Sequence, residues 1–88
     1  MSGVPLELAV RVFAAYADVV GAPYTTVSVD APATVGAVRR ALAARAGERG
    51  WPAAIARSLI AVNLEYARDD CAVSGADEIA LIPPVAGG

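Results

Sequence analysis

The chain opens with a regular alternation of apolar and polar or small positions between Leu6 and Phe13. Successive side chains of a β-strand point to opposite faces of a sheet, so this alternation predicts a strand with one buried face. The residues of the buried parity are Leu6, Leu8, Val10 and Val12. Parity places Phe13 on the opposite face, away from this core.

A short helix, a second strand and a longer helix are predicted next. Ala14–Val20 is expected to be helical and to end at Gly21, because glycine readily takes the left-handed conformation that closes a helix. Tyr24–Asp30 is rich in β-branched residues, which favours a strand paired with the first one. Thr34 is expected to cap the longer helix. The core face of that helix carries Val35, Val38 and Leu42, and the residues directed away from it are Arg39, Arg40 and Arg45.

The middle of the chain has a weaker pattern. Gly47 or Gly50 is expected to end the longer helix. The stretch from Glu48 to Arg57 has no clear period, and we expect Trp51-Pro52 to anchor a loop against the core. A short apolar strand is predicted for Leu59–Val62, and it ends at Asn63.

The last predicted strand is Glu78–Ile82, after a polar stretch and a turn around Ser74-Gly75. Ile79 and Leu81 share its core parity, whereas Ile82 lies on the other face. The element order is β-β-α-β-β, which predicts an α+β fold: a β-grasp-like mixed sheet of four to five strands packed against one main helix. We expect one domain, residues 1–82, followed by a tail, residues 83–88.

Composition and charge narrow the possible partners. The 88 residues suit one small domain, and 57% hydrophobic residues are enough to bury a core. The net charge is −2, all seven basic residues are arginines, and no basic stripe with interleaved aromatics occurs, so nucleic acid is not an expected partner. Arg11 and Asp18 interrupt the first apolar segment, so neither a membrane span nor a signal peptide is expected there, and the cytoplasm is the expected compartment.

The residue types present also exclude most catalytic chemistry. Without histidine or lysine, the chain cannot form imidazole-based nucleophile pairs or Schiff bases. The single cysteine, Cys71, cannot build a structural zinc site, has no basic neighbour that activates it, and is interpreted as structural. The adjacent carboxylates Asp69-Asp70 and Asp77-Glu78 are interpreted as solvated turn charges rather than an acid–base pair. No metal, no bound cofactor and no independent enzyme activity are therefore predicted.

The segment after Ile82 has clear chemical character. Pro83 and Pro84 cannot donate to a sheet ladder, so they end the last strand and keep the chain extended. Val85 and Ala86 follow, and then Gly87 and Gly88, which fit a channel too narrow for other residues. At full extension, residues 83–88 reach about 20 Å. We predict that they form a docking tail whose reactive group is the carboxylate of Gly88. A carboxylate is a poor electrophile, so it would first be activated with ATP as an acyl adenylate.

The chain resembles the small subunit of molybdopterin synthase, the MoaD-type branch of the MoaD/ThiS ubiquitin-like sulfur carriers. The segments that carry the resemblance are VRVFAAYADVVG, ATVGAVRRAL, the Ala61–Asn63 turn and GADEIALIPPVAGG. One departure is Ser74–Glu78, where the family commonly shows a DGDE-like turn.

The resemblance implies a β-grasp fold and a carrier that serves several proteins. A ubiquitin-activating-like adenylyltransferase would use ATP on Gly88, and a sulfurtransferase would supply sulfur to form a thiocarboxylate. The large synthase subunit, which would hold the other catalytic residues, would pass that sulfur to cyclic pyranopterin monophosphate. The resemblance and the strand parity together assign the partner-binding residues as Phe13, Tyr66 and Ile82. A minor second core beneath the Trp51 loop is the alternative for these positions.

Three other functions remain open from the residues. Carriers for cysteine or thiamine biosynthesis also end in Gly-Gly. A ubiquitin-like protein modifier would use the same activated terminus on target lysines, although this chain has no lysine on which to extend itself. A plain interaction domain would use no covalent chemistry at all.

Overall fold

The computed structural model describes residues 4–46 and 51–82, and the elements below refer to these ranges. The strands are β1 (Pro5–Arg11), β2 (Tyr24–Asp30), β3 (Ala33–Thr34), β4 (Leu59–Val62), β5 (Glu65–Ala67), β6 (Ala72–Val73) and β7 (Ile79–Ile82). The helices are α1 (Ala14–Val20), α2 (Val35–Ala46) and α3 (Trp51–Arg57).

Five strands form one mixed sheet in the described ranges, in the order β2-β1-β7-β4-β5. β1 pairs with β2 and β4 pairs with β5 and β7 in antiparallel fashion, whereas β7 runs parallel to β1. β3 and β6 form a separate two-stranded ladder. The predicted α+β architecture, a mixed sheet against one main helix, is confirmed.

The core lies between α2 and the inner face of the sheet. Val35, Val38 and Leu42 of α2 are completely buried, as their spacing predicts. The sheet side of the core consists of Leu8, Val10, Val12, Val27, Val29, Ile60, Ile79 and Leu81. Strand parity predicts five of these eight, and Leu6, which it also predicts to be buried, is only half-buried at the edge of the core. These positions alternate with exposed or half-buried ones on β1, β2 and β7, so the opposite face of the sheet contributes little to this core.

Two of the predicted helix ends, those at Gly21 and Thr34, are confirmed by their local geometry. Gly21 has φ +82° and its N–H donates to the Ala17 carbonyl, so it closes α1 in the left-handed conformation that glycine favours. At the start of α2, the Thr34 hydroxyl accepts a hydrogen bond of 3.2 Å from the Ala37 N–H. This bond satisfies one of the donors that a helix N-terminus leaves unpaired.

The prediction of a loop around Trp51-Pro52 is wrong, because Trp51–Arg57 is helix α3. Proline is tolerated in the first turn of a helix, where its missing N–H would have had no partner. Ile55 of α3 is 1% exposed and belongs to the core. The helix stop predicted at Gly47 or Gly50 lies outside the described residues.

Arg39 does not lie away from the core as predicted. Its guanidinium donates to the carbonyls of Ile55 at 2.9 Å and Ser58 at 2.6 Å, and its side chain is only 17% exposed. The same group forms a 2.9 Å ion pair with Asp69. Arg39 thereby joins α2 to the end of α3 and to the loop after β5. Asp69, predicted to be a solvated turn charge, is therefore also a structural acceptor.

The remaining differences concern strand ends and short strands. β1 ends at Arg11 rather than Phe13, because Phe13 is the extended N-cap of α1. β7 begins at Ile79 rather than Glu78, whose N–H is bound by the Asn63 side chain instead of a strand. β5 and β6 are three and two residues long, too short to produce a recognisable period in the sequence.

Candidate functional site

The outer face of the sheet carries one row of neighbouring residues across all five of its strands. Cross-strand pairing sets this row as Tyr24, Arg11, Ala80, Ala61 and Tyr66, in that spatial order. Adjacent strands lie about 4.8 Å apart, so the row spans about 19 Å. Tyrosines occupy its two ends, and two alanines occupy the strands between Arg11 and Tyr66.

This arrangement creates a shallow depression of about 250 Å³ on the outer face. The small side chains of Ala61 and Ala80 form its floor, because their neighbours are all longer. The residues around them are Arg11, Phe13, Leu64, Tyr66, Glu78 and Ile82. None of the helical residues whose side chains the structure describes lines it.

One wall of the depression comes from the tight turn between β4 and β5. Asn63 and Leu64 have φ values of +54° and +71°, the left-handed conformation required by the commonest two-residue hairpin turns. Asparagine tolerates this conformation, whereas leucine usually avoids it. The Leu64 side chain is 85% exposed, so the strained position gains no core packing in compensation. It holds a large apolar group beside the alanine floor.

The turn is fixed by hydrogen bonds to the loop that precedes β7. The Asn63 N–H donates to the Glu78 carbonyl at 2.7 Å, and the Glu78 N–H donates to Asn63 Oδ1 at 2.9 Å. Asn63 Nδ2 and the Ser74 N–H both donate to the Asp77 carboxylate, at 3.0 and 2.8 Å. These bonds, with that from Asn63 first, lower the pKa of Asp77. Asp77 is thus more than a solvated turn charge, since it anchors the Ser74–Glu78 turn.

Arg11 sits at the edge of the depression with its guanidinium against two rings. Its central carbon lies 5.2 Å from the centre of the Phe13 ring and 5.9 Å from that of Tyr24. Both distances fall within the range of cation–π attraction. None of the described residues accepts a hydrogen bond or forms an ion pair with Arg11. The two rings thus hold an exposed positive charge at this edge of the depression.

The structure brings the three predicted partner-binding residues together. Phe13, Tyr66 and Ile82 all line the depression, on the face opposite the core that parity predicts for Phe13 and Ile82. α3 packs against α2, and none of the α3 residues whose side chains the structure describes lines the depression. The alternative of a minor core beneath Trp51 depends on a side chain outside that description and stays open. A role in partner binding stays a prediction.

The sequence interpretation missed five residues of this surface, among them Glu78, which was interpreted as a solvated turn charge. Ala61, Ala80 and Arg11 were assigned no role, although strand parity already places Ala80 and Arg11 opposite the core. Leu64 could have been suspected from the order Asn-Leu between two strands, since asparagine commonly opens such turns. The register across five strands, which the sequence does not reveal, is what unites these positions.

The tail residues Pro83, Pro84, Val85, Ala86, Gly87 and Gly88 lie outside the described residues. They follow directly on Ile82, whose side chain lines the depression. Elsewhere, Cys71 is a free and exposed thiol. Within the described ranges no cluster of His, Cys, Asp or Glu could hold a metal ion, and no helix has the length and apolarity needed to cross a membrane.

Comparison with known proteins decides the family. The sequence model of the ThiS family matches residues 10–88, which include both β1–β7 contacts and the terminal Gly-Gly. The chain belongs to the ThiS family. It is therefore a ubiquitin-like protein of the MoaD/ThiS type, whose members are small sulfur carriers rather than catalysts.

Solved structures agree with this assignment. The H. volcanii small archaeal modifier protein 1 is 31% identical, with a TM-score of 0.66 over 91% of this chain and 99% of that one. A molybdopterin converting factor subunit 1 from Pyrococcus furiosus, described as putative, is 18% identical, with a TM-score of 0.68 over 91% and 99%. A complex of subunits 1 and 2 of the molybdopterin-converting factor from Helicobacter pylori is 21% identical, with a TM-score of 0.58 over 94% and 100%. The last two show the fold alone, and together the comparisons confirm the β-grasp prediction.

Proposed function

We propose that this chain is the sulfur-carrier small subunit of a molybdopterin synthase, with the carboxyl group of Gly88 as the site of chemistry. The family match, which extends through Gly88, is the observation that carries the proposal. The Pro-Pro-Val-Ala-Gly-Gly sequence after Ile82 supports the molybdopterin branch in particular. The outer-face depression supports a docking role, because it ends at Ile82, where the tail begins.

Activation of Gly88 begins with its carboxylate oxygen attacking the α-phosphate of ATP on an adenylyltransferase, which forms an acyl adenylate and releases pyrophosphate. A sulfur nucleophile supplied by a sulfurtransferase then attacks the carbonyl carbon, and AMP leaves. The thiocarboxylate that results is a better nucleophile than the original carboxylate. It would enter the large subunit, where its sulfur would form a bond to a carbon of cyclic pyranopterin monophosphate. Water would then cleave the bond between that sulfur and the Gly88 carbonyl, which leaves the sulfur on the pterin and returns the carboxylate. In this scheme the chain positions and carries sulfur, and it needs no acid–base residue of its own.

The outer-face depression would be the surface on which these partners hold the carrier. Apolar groups at the centre of an interface provide most of its affinity, and polar groups surround them. Phe13, Leu64, Tyr66 and Ile82 provide such a group around a floor of alanines. A partner side chain seated there would keep the carrier fixed while its tail reaches about 20 Å into an active site.

A second function is favoured by the 31% identity to the small archaeal modifier protein 1. A ubiquitin-like modifier uses the same acyl adenylate, but a lysine amine of a target protein displaces the activated carboxyl group and an isopeptide bond results. Both functions therefore require Gly88, and they differ in the nucleophile that receives its acyl group.

Mass spectrometry tests the shared step and then separates the two functions. Incubation with ATP, a sulfur source and the adenylyltransferase of the same organism should replace one oxygen of the chain by sulfur. Addition of the large subunit and cyclic pyranopterin monophosphate should then return the carboxylate and yield molybdopterin. Target proteins that carry a Gly-Gly remnant on lysine would instead establish the modifier. Sulfur delivery only to a thiamine or cysteine precursor would overturn the molybdopterin assignment.

Deletion of Gly88, or an added residue after it, is expected to abolish thiocarboxylate formation. The thermal midpoint should hardly change, because Gly88 lies beyond the last strand of the core. Gly87→Ala is the graded variant, since its added methyl group should impair insertion of the tail without removing the reactive carboxyl. Sulfur transfer at the normal rate by the deletion variant would refute the role of Gly88.

A further inference from the structure

The outer-face depression combines an apolar floor with a fixed positive charge at one side. Arg11 is the cross-strand neighbour of Ala80, and Ala80 is the neighbour of Ala61. Two strand spacings, about 10 Å, therefore separate Arg11 from Ala61. A group bound over the alanines would lie within one side chain's length of the guanidinium.

The charge of Arg11 is not neutralised by an acidic side chain of the described residues, so it can pair with an acidic group of another protein. It has no acidic partner among the described residues, where the ion pairs are formed by Arg39 with Asp69 and Arg68 with Asp70. The faces of Phe13 and Tyr24 hold the guanidinium, which leaves its in-plane N–H donors for another acceptor. Guanidinium N–H pairs match the two oxygens of a carboxylate.

The rings also lower the cost of binding. A free arginine side chain loses several rotatable bonds when a partner immobilises it, and this loss opposes association. Contact with two rings restricts Arg11 before the partner arrives. The arrangement thus favours recognition through Arg11 over recognition through a freely moving surface arginine.

We infer that Arg11 selects partners of this carrier by pairing with a carboxylate that lies beside the apolar group seated on Ala61 and Ala80. The inference rests on the proposed function for the identity of those partners, the adenylyltransferase and the large subunit. It adds a specific requirement: each partner presents an aspartate or glutamate about 5–10 Å from its apolar anchor, which corresponds to one or two strand spacings.

Glu78 is the other charged residue that lines the same depression. Its backbone is fixed by Asn63, and it forms no ion pair with Arg11. An incoming carboxylate would be attracted by Arg11 and repelled by Glu78, so it should settle on the Arg11 side. Removal of the Glu78 charge is therefore expected to leave partner affinity unchanged or to increase it.

Charge variants of the full-length chain provide the test. The Kd for the large subunit is measured by calorimetry, and the KM for the carrier is measured in the adenylyltransferase reaction, at low and high salt. Arg11→Gln should raise both constants about tenfold at low salt and leave kcat unchanged, and Arg11→Lys should restore part of the loss. Arg11→Glu should have a larger effect than Arg11→Gln. Arg40→Gln, a matched loss of charge at an exposed position of α2, should change neither constant.

The salt dependence of partner binding shows whether Arg11 acts through its charge or only through its packing against the two rings. High salt should weaken binding of the wild type and have less effect on Arg11→Gln, because the screened interaction is already absent. Thermal midpoints of all variants confirm that each is folded. A carboxylate of the large subunit that pairs with Arg11 should, when changed to arginine, restore binding to Arg11→Glu.

Several outcomes distinguish this inference from the proposed function. If the wild type acquires sulfur but both constants are unchanged in Arg11→Gln and Arg11→Glu, the inference is wrong and the proposed function stands. If the wild type acquires no sulfur but its binding depends on Arg11 as described, the proposed function fails alone. If the wild type binds neither protein, both fail. Self-association that Arg11→Glu abolishes would also overturn the inference, because the surface would then serve a second copy.

Discussion

Replacement of Arg39 by methionine should destabilise the domain more than any change to an exposed arginine. Methionine keeps most of the apolar stem and removes the guanidinium, which donates to Ile55 and Ser58 at 2.9 and 2.6 Å and to Asp69 at 2.9 Å. Hydrogen bonds to a charged group contribute about 1.5–3 kcal/mol each, but the Arg39 side chain is 17% exposed, so water reaches these two bonds and reduces their contribution. The 59% exposed Asp69 adds an ion pair of about 0–1 kcal/mol.

The expected loss in the free energy of unfolding is therefore about 2–3 kcal/mol for Arg39→Met. In a domain of this size, such a loss lowers the thermal midpoint by about 10–20 °C. Asp69→Asn removes only the exposed part of the arrangement and should cost about 0.5 kcal/mol. Urea unfolding followed by circular dichroism measures both values.

Arg40→Met on the same helix is the matched control and should change stability by less than about 0.5 kcal/mol. The reasoning depends on the contacts to the α3 carbonyls outweighing the contact to Asp69. Equal losses for Arg39→Met and Asp69→Asn would therefore refute it, as would a loss below about 1 kcal/mol for Arg39→Met.

Three further outcomes follow from individual contacts. Phe13→Ala should weaken partner binding by about 2 kcal/mol. Its effect on the thermal midpoint should be small, because Phe13 is only half-buried. If the variant unfolds but its folded molecules bind the partner with normal affinity, Phe13 belongs to the core instead. Cys71→Ser should still form the Gly88 thiocarboxylate, because the thiol is exposed and has no assigned role. A Cys71→Ser variant that folds but forms no thiocarboxylate would show that the thiol takes part in the reaction. The lowered pKa of Asp77 implies that its contribution to stability is present above its ordinary pKa of 3.8 and is lost as the pH falls through the lower, folded value. The stability difference between wild type and Asp77→Asn should thus shrink as the pH is lowered from neutral to below 3.8, and a constant difference would contradict the role of the Asn63 and Ser74 bonds.

Strand parity was the part of the structure that the sequence revealed best. Leu8 and Val10 are buried and Phe13 lies on the opposite face, as their alternation predicts, because a strand permits only two directions for its side chains. The Val35 and Leu42 face of α2 was predictable for the same kind of reason. Such periodic patterns report on one element at a time.

Features that depend on contacts between elements were not predictable in this way. The burial of Arg39 requires that the carbonyls of Ile55 and Ser58 lie near α2, which is known only when α3 has been placed. The outer-face row likewise depends on the register of Arg11 with Ala80. Sequence parity could place Phe13 and Ile82 on one face, but it could not show that they meet around a common floor.

The parallel pairing of β1 with β7 would connect docking with tail delivery in the proposed function. Parallel strands end at the same edge of a sheet, so the segment after Arg11 and the segment after Ile82 emerge side by side. Phe13 therefore stands next to the residue from which the tail departs, and both line one depression. A partner that holds this depression also fixes the point from which Pro83 begins. The two prolines then restrict the directions available to the tail, which reduces the entropy lost when Gly88 enters an active site.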